Sequence, residues 1–84
     1  MRKLFTFLLF IPLISIAQTS QEWMEAANLK MQEGNTLGAI KDYTSALAID
    51  PTLVDAYYGR GSVFAELLTY DKALADFNKA IELD

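Results

Sequence analysis

Cysteine and histidine are both absent from the 84 residues. Without cysteine there is no disulfide framework, no thiol nucleophile and no lipid-modified side chain. Without histidine as well, the usual zinc and haem ligands are missing, and so is every catalytic triad built on imidazole. No metal, no cofactor and no enzymatic chemistry are expected. Positive charge is scarce: 7 Lys+Arg stand against 11 Asp+Glu, a net charge of −4. That balance lacks the basic footprint a nucleic-acid binder needs. At 52% hydrophobic and 21% charged, the composition is that of a folding chain, long enough for one small domain.

The apolar residues are concentrated at the start. Met1-Arg2-Lys3 is a short positive segment, and Leu4 to Ile16 is an uncharged run of 13 residues. Ser15-Ile16-Ala17 follows the small-x-small rule of a signal-peptidase site, and polar residues follow. These are the three parts of a secretory signal peptide, expected over residues 1–17 with cleavage after Ala17. The alternative is an uncleaved anchor. As a helix, however, the run reaches only about 20 Å against a hydrocarbon core of about 30 Å, and Pro12 interrupts it. Cleavage would remove Arg2 and Lys3, leaving five basic side chains against eleven acidic ones in residues 18–84. The expected product is an exported, periplasmic or secreted protein. Its acidity favours partners with a basic or neutral face.

An internal repeat organises the remainder. A shift of 34 places Trp23 on Tyr57, Leu29 on Val63, Ala39 on Ala73, Ile40 on Leu74 and Asp42 on Asp76. It also places Tyr43 on Phe77, Ala46 on Ala80, Leu47 on Ile81 and Asp50 on Asp84. A fixed period of this size signals a solenoid. Within each repeat the apolar residues are spaced as on one face of a helix: Tyr70, Ala73, Leu74, Phe77, Ala80 and Ile81 recur at i, i+3, i+4, i+7, i+10 and i+11. Helices are predicted near 20–33, 37–50, 53–67 and 71–83. Thr19-x-x-Glu22 and Thr52-x-x-Asp55 read as capping boxes, Asn35 and Thr69 as N-caps, and Gly34 and Pro51 as stops.

Trp23, Gly34, Ala39, Tyr43, Ala46 and Pro51 resemble one tetratricopeptide repeat. Tyr57, Gly61, Phe64, Tyr70, Ala73, Phe77 and Ala80 resemble a second, nearer the family pattern. The resemblance implies an all-α fold: two helix-turn-helix hairpins stacked as a short right-handed α-solenoid over 18–84, with repeat one about 20–53 and repeat two about 54–84. Small Gly61, Ala73 and Ala80 would let helices approach, with Phe64 and Phe77 filling the gaps. The first repeat departs from the pattern, with Ala26 and Ala27 where Leu and Gly are usual and Lys30 where an aromatic is usual. Trp23 to Gly34 is therefore expected to form a weaker, more solvated helix.

The resemblance also implies a function, that of a scaffold binding a peptide or partner protein on the concave face lined by the first helix of each pair. The residues at those positions are Gln21, Met24, Glu25, Asn28, Met31 and Gln32, then Asp55, Tyr58, Ser62, Ala65 and Glu66. Some family members grip a C-terminal carboxylate with a Lys and two Asn. Here Asn28 matches, but Met24 replaces the Lys and Gly59 the second Asn, so no such clamp is expected. Asp42, Asp76 and Glu82 read as solvated polar faces, and Gly59 and Gly61 lack the third glycine of a phosphate loop.

The C-terminal edge looks unfinished. The third helix is expected to cover Leu47 and Ile49, while Leu74, Ile81 and Leu83 have no following helix to cover them. Two repeats are fewer than such stacks usually need. Either further repeats follow, in an accessory part of a longer exported or envelope enzyme, or another copy covers the edge through Ile81 and Leu83.

Overall fold

The computed structural model of the chain describes residues 18–84. The signal segment expected over 1–17 lies outside the described residues. From Ser20 onward the chain forms α1 (Ser20–Gln32), α2 (Thr36–Ile49), α3 (Val54–Glu66) and α4 (Tyr70–Leu83). No strand occurs among the described residues. The helices pack in chain order, α1 on α2, α2 on α3 and α3 on α4, with α1 and α3 touching only briefly.

Local sequence explains each start and stop. At α1 the capping box is complete: the Glu22 amide donates to Thr19 Oγ1, and the Thr19 amide donates to the Glu22 carboxylate. Asn35 caps α2 by accepting from the Gly38 amide at 3.0 Å. The capping box expected at Thr52 does not form. Thr52 instead donates both its amide and its hydroxyl to Asp50 Oδ1, so Leu53 takes the N-cap position with no side-chain bond. Thr69 occupies the N-cap of α4, but its hydroxyl turns back to the Leu67 carbonyl.

Both helix hairpins close alike. Asn35 donates to the Lys30 carbonyl and, 34 residues later, Thr69 donates to the Phe64 carbonyl, each at 2.8 Å. This bond satisfies the last turn when the preceding residue is left-handed. Gly34 adopts that conformation at φ 78° without strain, but its counterpart is Leu68 at φ 60°.

The core runs from Met24 and Ala27 in α1, through Ala39, Tyr43, Ala46 and Leu47 in α2, to Ala56 and Val63 in α3. The first helix buries only Met24 and Ala27, against Ala56, Gly61 and Val63 in α3, so it is the more solvated of the two, as expected. Small residues let the larger ones in. A Cβ added at Gly59 would lie 2.7 Å from Tyr43 Cε1, and one at Gly61 2.9 Å from Phe77 Cε1.

The largest departure from the sequence reading concerns Asp42 and Asp76. Neither is solvated: they are 2% and 5% exposed. Lys30 Nζ donates to Asp42 at 2.6 Å, which gives the cation in an aromatic position its role. Arg60 donates to Asp76 through Nε and Nη2, both at 2.8 Å, a two-pronged match of guanidinium to carboxylate. Burial of a carboxylate is strongly unfavourable unless it is paired in this way. Glu82, by contrast, is exposed as expected, beside Lys79.

Candidate functional site

Every first-helix residue singled out on α1 and α3 is placed by the fold, and most of them face solvent. Gln21, Glu25, Asn28 and Gln32 on α1 are exposed, as are Asp55, Tyr58, Ser62 and Glu66 on α3. Met31 and Ala65 are half-buried. Met24 is not a surface residue at all: it belongs to the core with Ala27 and Tyr43, because a flexible apolar thioether gains more from burial than from water. The 34-residue period pairs Gln21 with Asp55, Asn28 with Ser62 and Gln32 with Glu66.

Polar bonds fix the backdrop of this surface. Tyr43 donates its hydroxyl to Asn28 Oδ1 at 2.5 Å, holding one side chain of the face from the core. Burial of the Tyr43 ring pushes its phenol pKa up. On α3, Arg60 lies 5.9 Å from the centre of the Tyr57 ring and also donates to Thr44 Oγ1, tying α3 to α2. The Asp76 carboxylate beside it holds the guanidinium pKa above its ordinary value, and burial only partly opposes that. The two cations of α1 and α3, Lys30 and Arg60, are therefore committed to Asp42 and Asp76. The exposed charges of these two helices, Glu22, Glu25, Asp55 and Glu66, are all negative.

A second feature escaped the sequence. Ala65, Tyr70, Asp71, Ala73, Leu74 and Phe77 enclose a cavity of about 320 Å³, open between α3 and α4. Its floor continues to Tyr58, whose ring centre is 6.2 Å from that of Phe77. The signal was available: Phe77 repeats Tyr43, whose ring lies against Gly59 of α3.

The exposed side chains of α1 and α3 offer amide, hydroxyl and carboxylate groups beside the Tyr58 ring. Comparison with known proteins identifies the scaffold. A TPR repeat family model matches residues 27–67, and a tetratricopeptide repeat model matches 54–84. The chain belongs to the tetratricopeptide repeat family. This tetratricopeptide repeat protein is 41% identical over 56 residues to a UDP-N-acetylglucosamine–peptide N-acetylglucosaminyltransferase of Giardia intestinalis, covering 67% of the chain and 4% of that relative. It is 40% identical over 47 residues to the probable enzyme of that name, SPINDLY, of Hordeum vulgare, covering 56% of the chain and 5% of the relative. Over 64 residues it is 39% identical to human DnaJ homolog subfamily C member 7, covering 71% of the chain and 13% of the relative. The chain thus spans only a small part of the length of these relatives.

Proposed function

We propose that the protein is a protein–protein interaction module, exported from the cytoplasm, that holds a peptide or partner protein against the exposed first-helix surface of its two repeats. The observation that carries this is the run of exposed side chains Asn28, Gln32, Asp55, Tyr58, Ser62 and Glu66 on a scaffold of the tetratricopeptide repeat family. Tyr58 supplies apolar area with a polar tip, and the amides and hydroxyl supply directional bonds. With Lys30 and Arg60 tied up, the surface presents only negative charge, so a basic or neutral segment is the partner it suits.

Site-specific photo-crosslinkers at Ser62 and Gln32, compared with one at Lys41 on α2, test this. Adducts should form at the first two positions and be lost on Tyr58→Ala. Adducts concentrated at Lys41 would overturn it. Export rests on Arg2-Lys3, the apolar run and Ala17. Intact mass of protein made in its export pathway should correspond to a chain beginning at Gln18.

A second function is favoured by the glycosyltransferase relatives, of which the matched segment is 4–5%. There the repeats are the accessory part of a longer enzyme, and the reading frame beyond Asp84 tests that alternative.

A further inference from the structure

Among the described residues, Arg60 is the only side chain whose hydrogen bonds reach two other helices. Its Nε and Nη2 donate to Asp76 on α4, and its Nη1 donates to Thr44 Oγ1 on α2 at 3.2 Å. Those two helices do not pack on one another, so the guanidinium spans them across the body of α3. A planar fork with donors on all three nitrogens can do this; a single ammonium cannot. Thr44 is ready to accept, because its own hydroxyl proton is given to the Ile40 carbonyl at 2.7 Å.

The other contacts between α2 and α3 fix distance rather than direction. The Tyr43 ring lies against Gly59, which has no side chain, so the helices approach closely there but α3 is free to turn about its own axis. The Tyr57 hydroxyl donates to the Pro51 carbonyl at 2.9 Å, which holds the start of α3 to the preceding loop and not to the body of α2. The bond from Arg60 to Thr44 is the one side-chain hydrogen bond between α2 and α3 among the described residues. In the first hairpin the equivalent of Arg60 is Ala26, and Asp42 is met instead by Lys30, which reaches no third helix. That pair holds α1 to α2 and goes no further.

We infer that Arg60 is a positioning residue that fixes the rotation of α3 between α2 and α4. With it Arg60 fixes the direction in which Asp55, Tyr58, Ser62 and Glu66 face relative to α1. The first helix cannot set that direction itself, since it touches α3 only briefly. The role of Arg60 is the same whether or not this surface binds a peptide.

Distances between spin labels test it without any partner. The 84-residue chain has no cysteine of its own, so Lys41→Cys on α2 and Glu66→Cys on α3, both at exposed positions, give one defined pair. The parent should show a single narrow distance distribution by double electron–electron resonance. In Arg60→Lys, which keeps the charge beside Asp76 but loses the span, the distribution should broaden or move. Thr44→Val, which removes only the acceptor at an exposed site, should do the same, with helical circular dichroism retained in both. Lys30→Met, which breaks the pair inside the first hairpin, should leave the distribution as in the parent. An unchanged distribution in either Arg60→Lys or Thr44→Val would overturn the inference. So would equal broadening in Lys30→Met, which would make the effect a general loosening of the fold.

Discussion

Single residues show where the second hairpin departs from an ideal copy of the first. Gly34 and Leu68 occupy equivalent turns, both left-handed and both closed by the same backbone bond. A side chain there costs about 1 kcal/mol, and Leu68 recovers little of it, being 70% exposed. Leu68→Gly should therefore stabilise the fold by up to about 0.5 kcal/mol after the added freedom of the unfolded chain is subtracted. Gly34→Ala, where no atom stands within 4 Å of the new carbon, should cost about 1 kcal/mol through conformation alone. Urea denaturation of both variants checks the pair, and a stability change of the same sign in both would contradict it. The Asp50 carboxyl offers a titration. The Thr52 hydroxyl and amide donate to it and hold its pKa below the usual carboxylate range. A depressed carboxyl contributes stability that is present above its unfolded pKa and lost as pH falls through the folded one. Carbon-detected NMR should find the Asp50 midpoint below that of an unstructured aspartate, and Thr52→Val should move it upward.

Helices were largely legible because the signals that fix them are local. Thr19, Asn35, Gly34 and Pro51 lie within a turn of the ends they mark, and all four helix bounds fall close to those the periodicity predicts. What was illegible lies between helices. An aspartate beside an apolar stripe reads as solvent-facing, because its partner is 12 or 16 residues away. The 34-residue shift did not help: Lys30 aligns with Phe64 and Arg60 with Ala26, so the two cations sit one turn apart in repeat register. Met24 failed as a surface residue for a related reason: the family pattern carries position but not the side chain's own preference for burial. The open hollow over Phe77 was legible only as missing cover, and the sequence did not reveal its depth. The two ion pairs differ in kind, and that difference is testable. Arg60 is 20% exposed and grips Asp76 with two bonds, whereas Lys30 is 36% exposed and makes one, which solvent screens. Asp76→Ala should cost about 2–3 kcal/mol by stranding a half-buried guanidinium, and Asp42→Ala about 1 kcal/mol, since Lys30 can turn to water. Chemical denaturation of the two variants should keep that order, and a costlier Asp42→Ala would mean that the lysine is the more confined cation.

For the molecule as a whole, the question is how two hairpins of so few residues hold together. Tyr43 is the hinge of the answer. It is buried, it reaches α1 through Asn28, and its ring lies against Gly59 of α3, so one side chain joins three helices. Its repeat equivalent, Phe77, packs on Gly61 and Tyr58 of α3, but among the described residues no helix lies over its far side. Chemically similar rings at equivalent positions should therefore differ in what they contribute. Tyr43→Ala should cost about 3–5 kcal/mol, enough to unfold a domain of this size, through the cavity it leaves among three helices. Phe77→Ala, losing contacts on one side only, should cost about 2 kcal/mol in dilute protein. Thermal melts followed by circular dichroism at low concentration compare the two directly. Equal losses would mean that α3 adds little to the first hairpin and that each hairpin stands on its own.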